Sequence, residues 1–416
     1  MVKYSLLVLA AVVLAASGAA GIFAYTRWQA SQDVKGSSTE EFVTTEVVHH
    51  RSPRDPIRWP LYGYDQERRR WDEGLGLKPP FRAVWTFKAK KLVEFPPVLG
   101  YRRLFAETND GRLLSIDRRF GTLHWSAPFG RCAAASPALS NYTVFAVFMN
   151  KPPCNATGDD VDGLVVALRA RDGKERWRFS LGPSETSPLI AEGKVYVGDW
   201  RGNVYALDED TGRVVWRFKA GGSVKGAVAY SSGRVFFGSY DHHLYCLNAK
   251  TGKEVWKGSA QERLGPRGTF YSTPAVSYGR VYIGSTDGKV YSFGAATGKL
   301  RWSHGTGDYV YASPAVWRKL VFIGSHDKHF YALDAATGEV KWKVDAGAKI
   351  SGSATVIDGI VYFQTLKQKT YALDAVTGNH LWTYNDGQYA GVIGGRERLY
   401  LTGHTRIYAM LHRSRK

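Results

Sequence analysis

Residues 273–302 read TPAVSYGRVYIGSTDGKVYSFGAATGKLRW. The stretch opens on Thr273-Pro274, passes a glycine turn into the alternating run RVYIGS, and turns at Asp287-Gly288 into KVYSF. It turns again at Thr297-Gly298 into a strand ending at Trp302. Period-two alternation broken by Asp-Gly and Thr-Gly pairs specifies short antiparallel hairpins. Four strands therefore fit into about forty residues. A unit this small cannot bury its faces alone, so copies of it must stack on one another.

The same ending recurs along the chain. DEDTGRVVW, NAKTGKEVW, DAATGEVKW and DAVTGNHLW end at Trp216, Trp256, Trp342 and Trp382. Degenerate copies, DRRFGTLHW and RARDGKERW, end at Trp125 and Trp177, and an isolated strand, RAVWTF, supplies Trp85. With Trp302 the spacings are 40, 52, 39, 40, 46, 40 and 40 residues. Seven complete units end at Trp125 through Trp382, and three strands follow: AGVIGG, RLYLTG and RIYAML. The fourth strand of that last unit is RAVWTF at the beginning. A ring closed as three strands plus one leaves no open edge. The predicted fold is all-β: an eight-bladed β-propeller of four-stranded blades over 81–416. The 45 Gly, 13 Trp, 24 Tyr and 19 Phe against 3 Met suit it, and 44% hydrophobic residues exclude a disordered chain.

The spacing Asp, two residues, Thr-Gly, three residues, Trp resembles the repeat of the PQQ-like propellers, over residues 82–410. WPLYGYDQERRRW at 59–71 is similar to the lead-in found before the ring in that superfamily. The resemblance implies that Trp85, Trp125, Trp177, Trp216, Trp256, Trp302, Trp342 and Trp382 dock between blades, against the peptide and glycine of the neighbour, and carry no chemistry. Two branches are relevant: the quinoprotein dehydrogenases and the BamB-type proteins of outer-membrane assembly. The dehydrogenase branch implies a quinone beneath two adjacent cysteines, calcium on carboxylate and amide ligands, and an Asp base. Here Cys132, Cys154 and Cys246 are not adjacent, and no CxxCH haem site occurs. The expectation is a non-catalytic binding scaffold with no cofactor and no metal site; the alternative is a PQQ-dependent oxidoreductase.

Other chemistry is not signalled, since GxSxG, HExxH and phosphate-binding loops are missing from the sequence. His49 and His50 read as loop residues; His242, His243, His326 and His329 read as exposed turn residues. Asp241, Asp287 and Asp327 fall in hairpin turns, where Asp caps its own backbone. Cys132 lies just before the first strand of one blade and Cys154 within that blade's long loop, NKPPCNATGDDVD, on the same face of the ring, which predicts a disulfide in an oxidising compartment. Cys246 reads as a buried thiol.

Residues 4–25 carry no charge and are long enough to span a bilayer. They predict a signal-anchor over 1–25, with a cleaved signal peptide as the alternative. Residues 26–80 read as an extracytoplasmic linker and lead-in, with SQDVKGSSTEEF flexible. The ring is then outside the cytoplasm, single-pass anchored or secreted, and monomeric. The balance of 56 Lys and Arg against 37 Asp and Glu, +19, predicts attraction to a protein or an anionic envelope ligand rather than to nucleic acid. Recognition is expected at the channel mouth, where each innermost strand begins. That register gives Glu94, Ala134, Glu185, Val224, Tyr271, Tyr311, Ser351 and Gln388, with Lys225, Tyr309 and Lys349 beside them.

Overall fold

The repeat folds as its turns dictate. Ala275–Ser277, Arg280–Gly284, Lys289–Gly294 and Leu300–Gly305 pair in order, each antiparallel to the next. The two middle strands are buried almost throughout, while the outer strand alternates or lies half-buried at its ends. A register shift falls late in the third strand, between Ser292 and Phe293, and recurs at the equivalent place in blades 1 to 7. The computed structural model describes residues 16–29, 31–45, 56–156, 158, 160–263 and 267–413. It holds eight such sheets, numbered here as blade 1, which ends at Trp125, through blade 8.

Blade 8 closes as expected. Val392–Gly394, Leu399–Thr402 and Arg406–His412 are completed by Phe81–Lys88, with Phe81 opposite His412 and Lys88 opposite Arg406. Seven of the eight repeat tryptophans dock alike. The indole N–H of Trp216 donates to the Ala249 carbonyl at 3.0 Å, and that of Trp302 to Ala335 at 3.0 Å. Trp85, Trp125, Trp177, Trp256 and Trp342 make the matching bonds. Each ring covers a glycine of the next blade, from Gly121 to Gly378, with φ between +70° and +78°, and a Cβ there would come within 2.5–3.0 Å of the indole. Conformation and space both demand glycine at these seven turns. Trp382 departs from the pattern. The blade it faces has no third-to-fourth-strand turn, because its fourth strand comes from the N-terminus, and Trp382 packs edge-on against Phe81 at 5.4 Å instead.

The lead-in does more than precede the ring. Ile57–Trp59 adds an innermost strand to blade 1, beside the innermost strand of blade 8. The chain then circles one end of the channel. Carbonyls of Pro60, Gln66, Glu67, Arg69 and Arg70 accept from Leu139, Tyr230, Val276, Val316 and Val356, one in each of blades 2, 4, 5, 6 and 7. The Gln66 side chain reaches Ile190 of blade 3, and Trp71–Asp72 pairs in parallel with blade 7. Arg68, wholly buried, points inward. Its guanidinium donates to the carbonyls of Tyr62, Val228, Ser187 and Pro188. Burial and the neighbouring Arg70 push its pKa down to about 9.

Residues 31–45 correct the expectation of a flexible linker. They run along the outer edge of blades 5 and 6, where Ser303 N–H donates to the Val34 carbonyl, Gly36 to Thr337, and Val43 to Tyr278. Arg301 pairs with Glu40 and Glu41, and Arg280, fully buried, donates to the carbonyls of Ser37, Glu40 and Glu41. Polar composition misled here because its partners are a buried and a half-buried arginine far along the chain. Residues 16–29 are helical. Residues 1–15 of the expected anchor, and His49 and His50, lie outside the described residues; among the described ones no helix is long and apolar enough to cross a membrane.

Candidate functional site

The circling lead-in closes one end of the channel, leaving a cavity of about 460 Å³ open at the other. That open face carries the loops joining one blade's last strand to the next blade's first, and the turns between second and third strands. Glu94, Glu185, Lys225, Tyr271, Tyr311 and Ser351 line the cavity, as expected from their register. Three others at that register do not. Val224 is fully buried and would meet any Cβ placed on Gly198; Ala134 is buried with Cys132 and Met149. Gln388 gives its place to Tyr389, because its backbone N–H is held by the Gln364 side chain. Tyr309 and Lys349 stand outside the lining: Tyr309 is 48% exposed, and Lys349 pairs with Asp308 at 3.4 Å.

Sequence reasoning missed Tyr62, Phe95, Tyr240, His326 and Leu366, which also line the cavity. Tyr62 arrives from the lead-in and forms the floor, its hydroxyl 2.9 Å from that of Ser353 and its ring edge-on to Phe95 at 5.3 Å. No periodicity in the blades points to it. His326 corrects its reading as an exposed turn residue: it is half-buried, with Nε2 2.6 Å from the Ser351 hydroxyl and its ring 5.0 Å from Tyr311. Burial, with the charge of Lys349, holds its pKa below the ordinary value. Asp241, Asp287 and Asp327 behave as turn caps, each also accepting from a tyrosine hydroxyl four residues on, at 2.6 Å. His243 and His329 stay at their own turns, whereas His242 Nδ1 lies 3.2 Å from the Gly268 carbonyl in the loop joining blades 4 and 5.

One wall is aromatic and the other carries charge. Tyr271 stands edge-on to Tyr311 at 5.2 Å, with Tyr240 at 6.5 Å on its other side. Opposite, Glu185 accepts from the Trp200 indole at 2.9 Å and the Tyr271 hydroxyl at 3.4 Å, and pairs with Lys225 at 3.2 Å. The Lys225 ammonium lies 4.0 Å from the Trp200 ring centroid. Burial raises the Glu185 pKa from its ordinary value, and these three partners partly offset it. Glu94 has no such set. Burial and the charge of Glu185 push its pKa up to about 7. The cavity therefore holds one satisfied carboxylate, one strained carboxyl and a screen of phenols, a constellation suited to an apolar or basic group.

A quinone seat does not fit this lining. A tricarboxylate would face Glu94 and Glu185 with one ammonium, Lys225, already engaged. The disulfide joins Cys132 to Cys154 across a 22-residue loop, with Cα atoms 5.5 Å apart, and so offers no ring of adjacent cysteines. Among the described residues no three His, Cys, Asp or Glu converge as metal donors. Cys246 is buried and unbridged.

Comparison with known proteins agrees with this architecture. The chain is 33% identical over 97 residues to the outer membrane protein assembly factor BamB of Escherichia coli, covering 21% of this chain and 22% of that one. It is 33% identical over 215 residues to the dehydrogenase subunit of a quinone-dependent alcohol dehydrogenase of Gluconobacter oxydans, covering 43% and 27%. The matches span between 13% and 31% of such relatives' own length. The crystal structure of BamB from Moraxella catarrhalis superposes with a TM-score of 0.64 at 18% identity, over 81% of this chain and 99% of that one, a likeness of fold. The family profile described as outer membrane protein assembly factor BamB matches residues 161–309 and 309–415. Matched over more than half its length, the chain belongs to that family of PQQ-like β-propellers.

Proposed function

We propose that this protein is a non-catalytic, membrane-anchored, extracytoplasmic scaffold that holds an extended polypeptide segment at the open mouth of its channel. The observation that carries the reading is the cavity wall: half-buried Tyr271, Tyr311 and Tyr389 supply amphipathic contact area, and Glu94 offers a carboxyl with no cation of its own. A basic side chain entering the cavity would neutralise Glu94 and spread over the phenols. Membership of the BamB family supports a protein partner in the cell envelope. The quinone-dependent relative supports a second reading, an oxidoreductase, against which the lining weighs.

A photo-crosslinking amino acid in place of Tyr311, in cells, tests the proposal. Polypeptide adducts that disappear with Glu94→Gln and Tyr271→Ala support it. Dye-linked alcohol oxidation by purified protein supplied with quinone and calcium would establish the oxidoreductase instead.

A further inference from the structure

The helix at 16–29 and the cavity mouth belong to the same face. Arg27, in the last turn of the helix, pairs at 3.0 Å with Glu262, in the loop joining blade 4 to blade 5. Ser31, Gln32 and Asp33 are then held by Lys289 and Gln261, at the same end of blade 5. A single residue separates helix from docked chain, so the connection has no slack. Beyond Arg27 the helix projects clear of the ring: Ile22, Phe23 and Tyr25 are 67%, 56% and 56% exposed. An uncharged run ending in Phe23 and Tyr25, followed by Arg27 and Trp28, is the composition of a segment entering a bilayer through its interface. At about 1.5 Å per residue, Phe23 is about 6 Å along the axis from Arg27.

Charge on the same face agrees. Lys90, Lys91, Lys328, Lys367 and Lys369 are exposed around the mouth, in the loop between blades 8 and 1 and in the turns of blades 6 and 7. Acidic side chains share this face: Asp110 and Asp160, in the matching turns of blades 1 and 2, and Glu262 are exposed. In blades 4, 5 and 6, by contrast, Asp241, Asp287 and Asp327 are turned inward onto tyrosine hydroxyls, as is Asp386 in the loop between blades 7 and 8.

We infer that the propeller lies with its cavity mouth turned toward an anionic membrane surface, so that only a ligand presented at the lipid headgroups reaches Glu94 and Tyr271. The inference rests on the anchored reading above. The occupant of the lysine rim is anionic lipid, each lysine contributing of order 1 kcal/mol near such a surface.

The test uses the full chain reconstituted into vesicles of equal parts phosphatidylglycerol and phosphatidylcholine. A fluorophore is attached at Lys367→Cys on the mouth face or at Lys253→Cys on the opposite one, Cys246 being buried. Quenching by headgroup spin-labelled lipid is expected to be several-fold stronger at position 367. It should fall toward the level at 253 when Lys90, Lys91 and Lys369 are changed to Glu. Equal quenching at both positions, or stronger quenching at 253, overturns the orientation and leaves the anchor standing. Protein that never associates with the vesicles overturns both.

Discussion

Glu94→Gln is expected to stabilise the protein above neutral pH and to do nothing in acid. In the folded ring the Glu94 carboxyl titrates at about 7 against 4.5 for a free glutamate. The folded state thus binds this proton more tightly than the unfolded one. No penalty exists below about pH 4; it grows as pH rises and is complete above about 7. At 1.36 kcal/mol per unit the full shift corresponds to about 3.4 kcal/mol. Glu94 is half-buried and borders an open cavity, so solvent screening reduces this to about 1–2 kcal/mol. The glutamine keeps the shape and removes the charge. Urea unfolding of both proteins at pH 4.5 and pH 8 checks it. The two should coincide at the lower pH, with Glu94→Gln more stable by that amount at the higher. An advantage independent of pH would show that packing, not ionisation, separates them. A wild type gaining on the variant as pH rises would mean that Glu94 has a cationic partner.

Trp302→Ala should cost about 3–5 kcal/mol, as for a fully buried large aromatic, while Trp382→Ala, which lacks the interblade hydrogen bond, should lower the melting temperature distinctly less; equal losses would refute the seam argument. Cys132→Ser should cost about 3 kcal/mol for opening a 22-residue loop in the chain-entropy model, and peptide mapping without reductant should recover 132 and 154 linked in the wild type. Deleting residues 81–88 should yield aggregates on size-exclusion chromatography, and a soluble monomer of unchanged melting temperature would contradict closure by that strand.

What could be read from the sequence was whatever repeats. The Gly-x₃-Trp spacing marked the seven turn glycines, 121 to 378, that the tryptophans cover, and the surplus strand RAVWTF foretold its pairing with RIYAML. A repeat holds no information about elements that occur once. Tyr62 and Arg68 come from the lead-in, and their partners, Ser353 and the carbonyls around Val228, are fixed only by the closed ring. Trp382 shows the converse failure: its motif is intact, but the neighbour that should receive it is the one blade built differently. The channel register was legible in five blades and off by one residue in two, where Lys225 and Tyr389 stand for Val224 and Gln388, while Ala134 of blade 2 is buried instead.

The pairing of Phe81–Lys88 with Arg406–His412 also sets a clock. Partners such as Lys88 and Arg406 lie about 320 residues apart, and at roughly 5–20 residues per second of synthesis the first waits of the order of 15–60 s for the second to exist. Until then the earliest strand of the ring has nothing to pair with, and the final blade, once made, is incomplete without it. Arrest of synthesis anywhere before residue 406 therefore leaves a chain with two unmatched edges, and completion of the very last strand is the event that turns a string of blades into a ring.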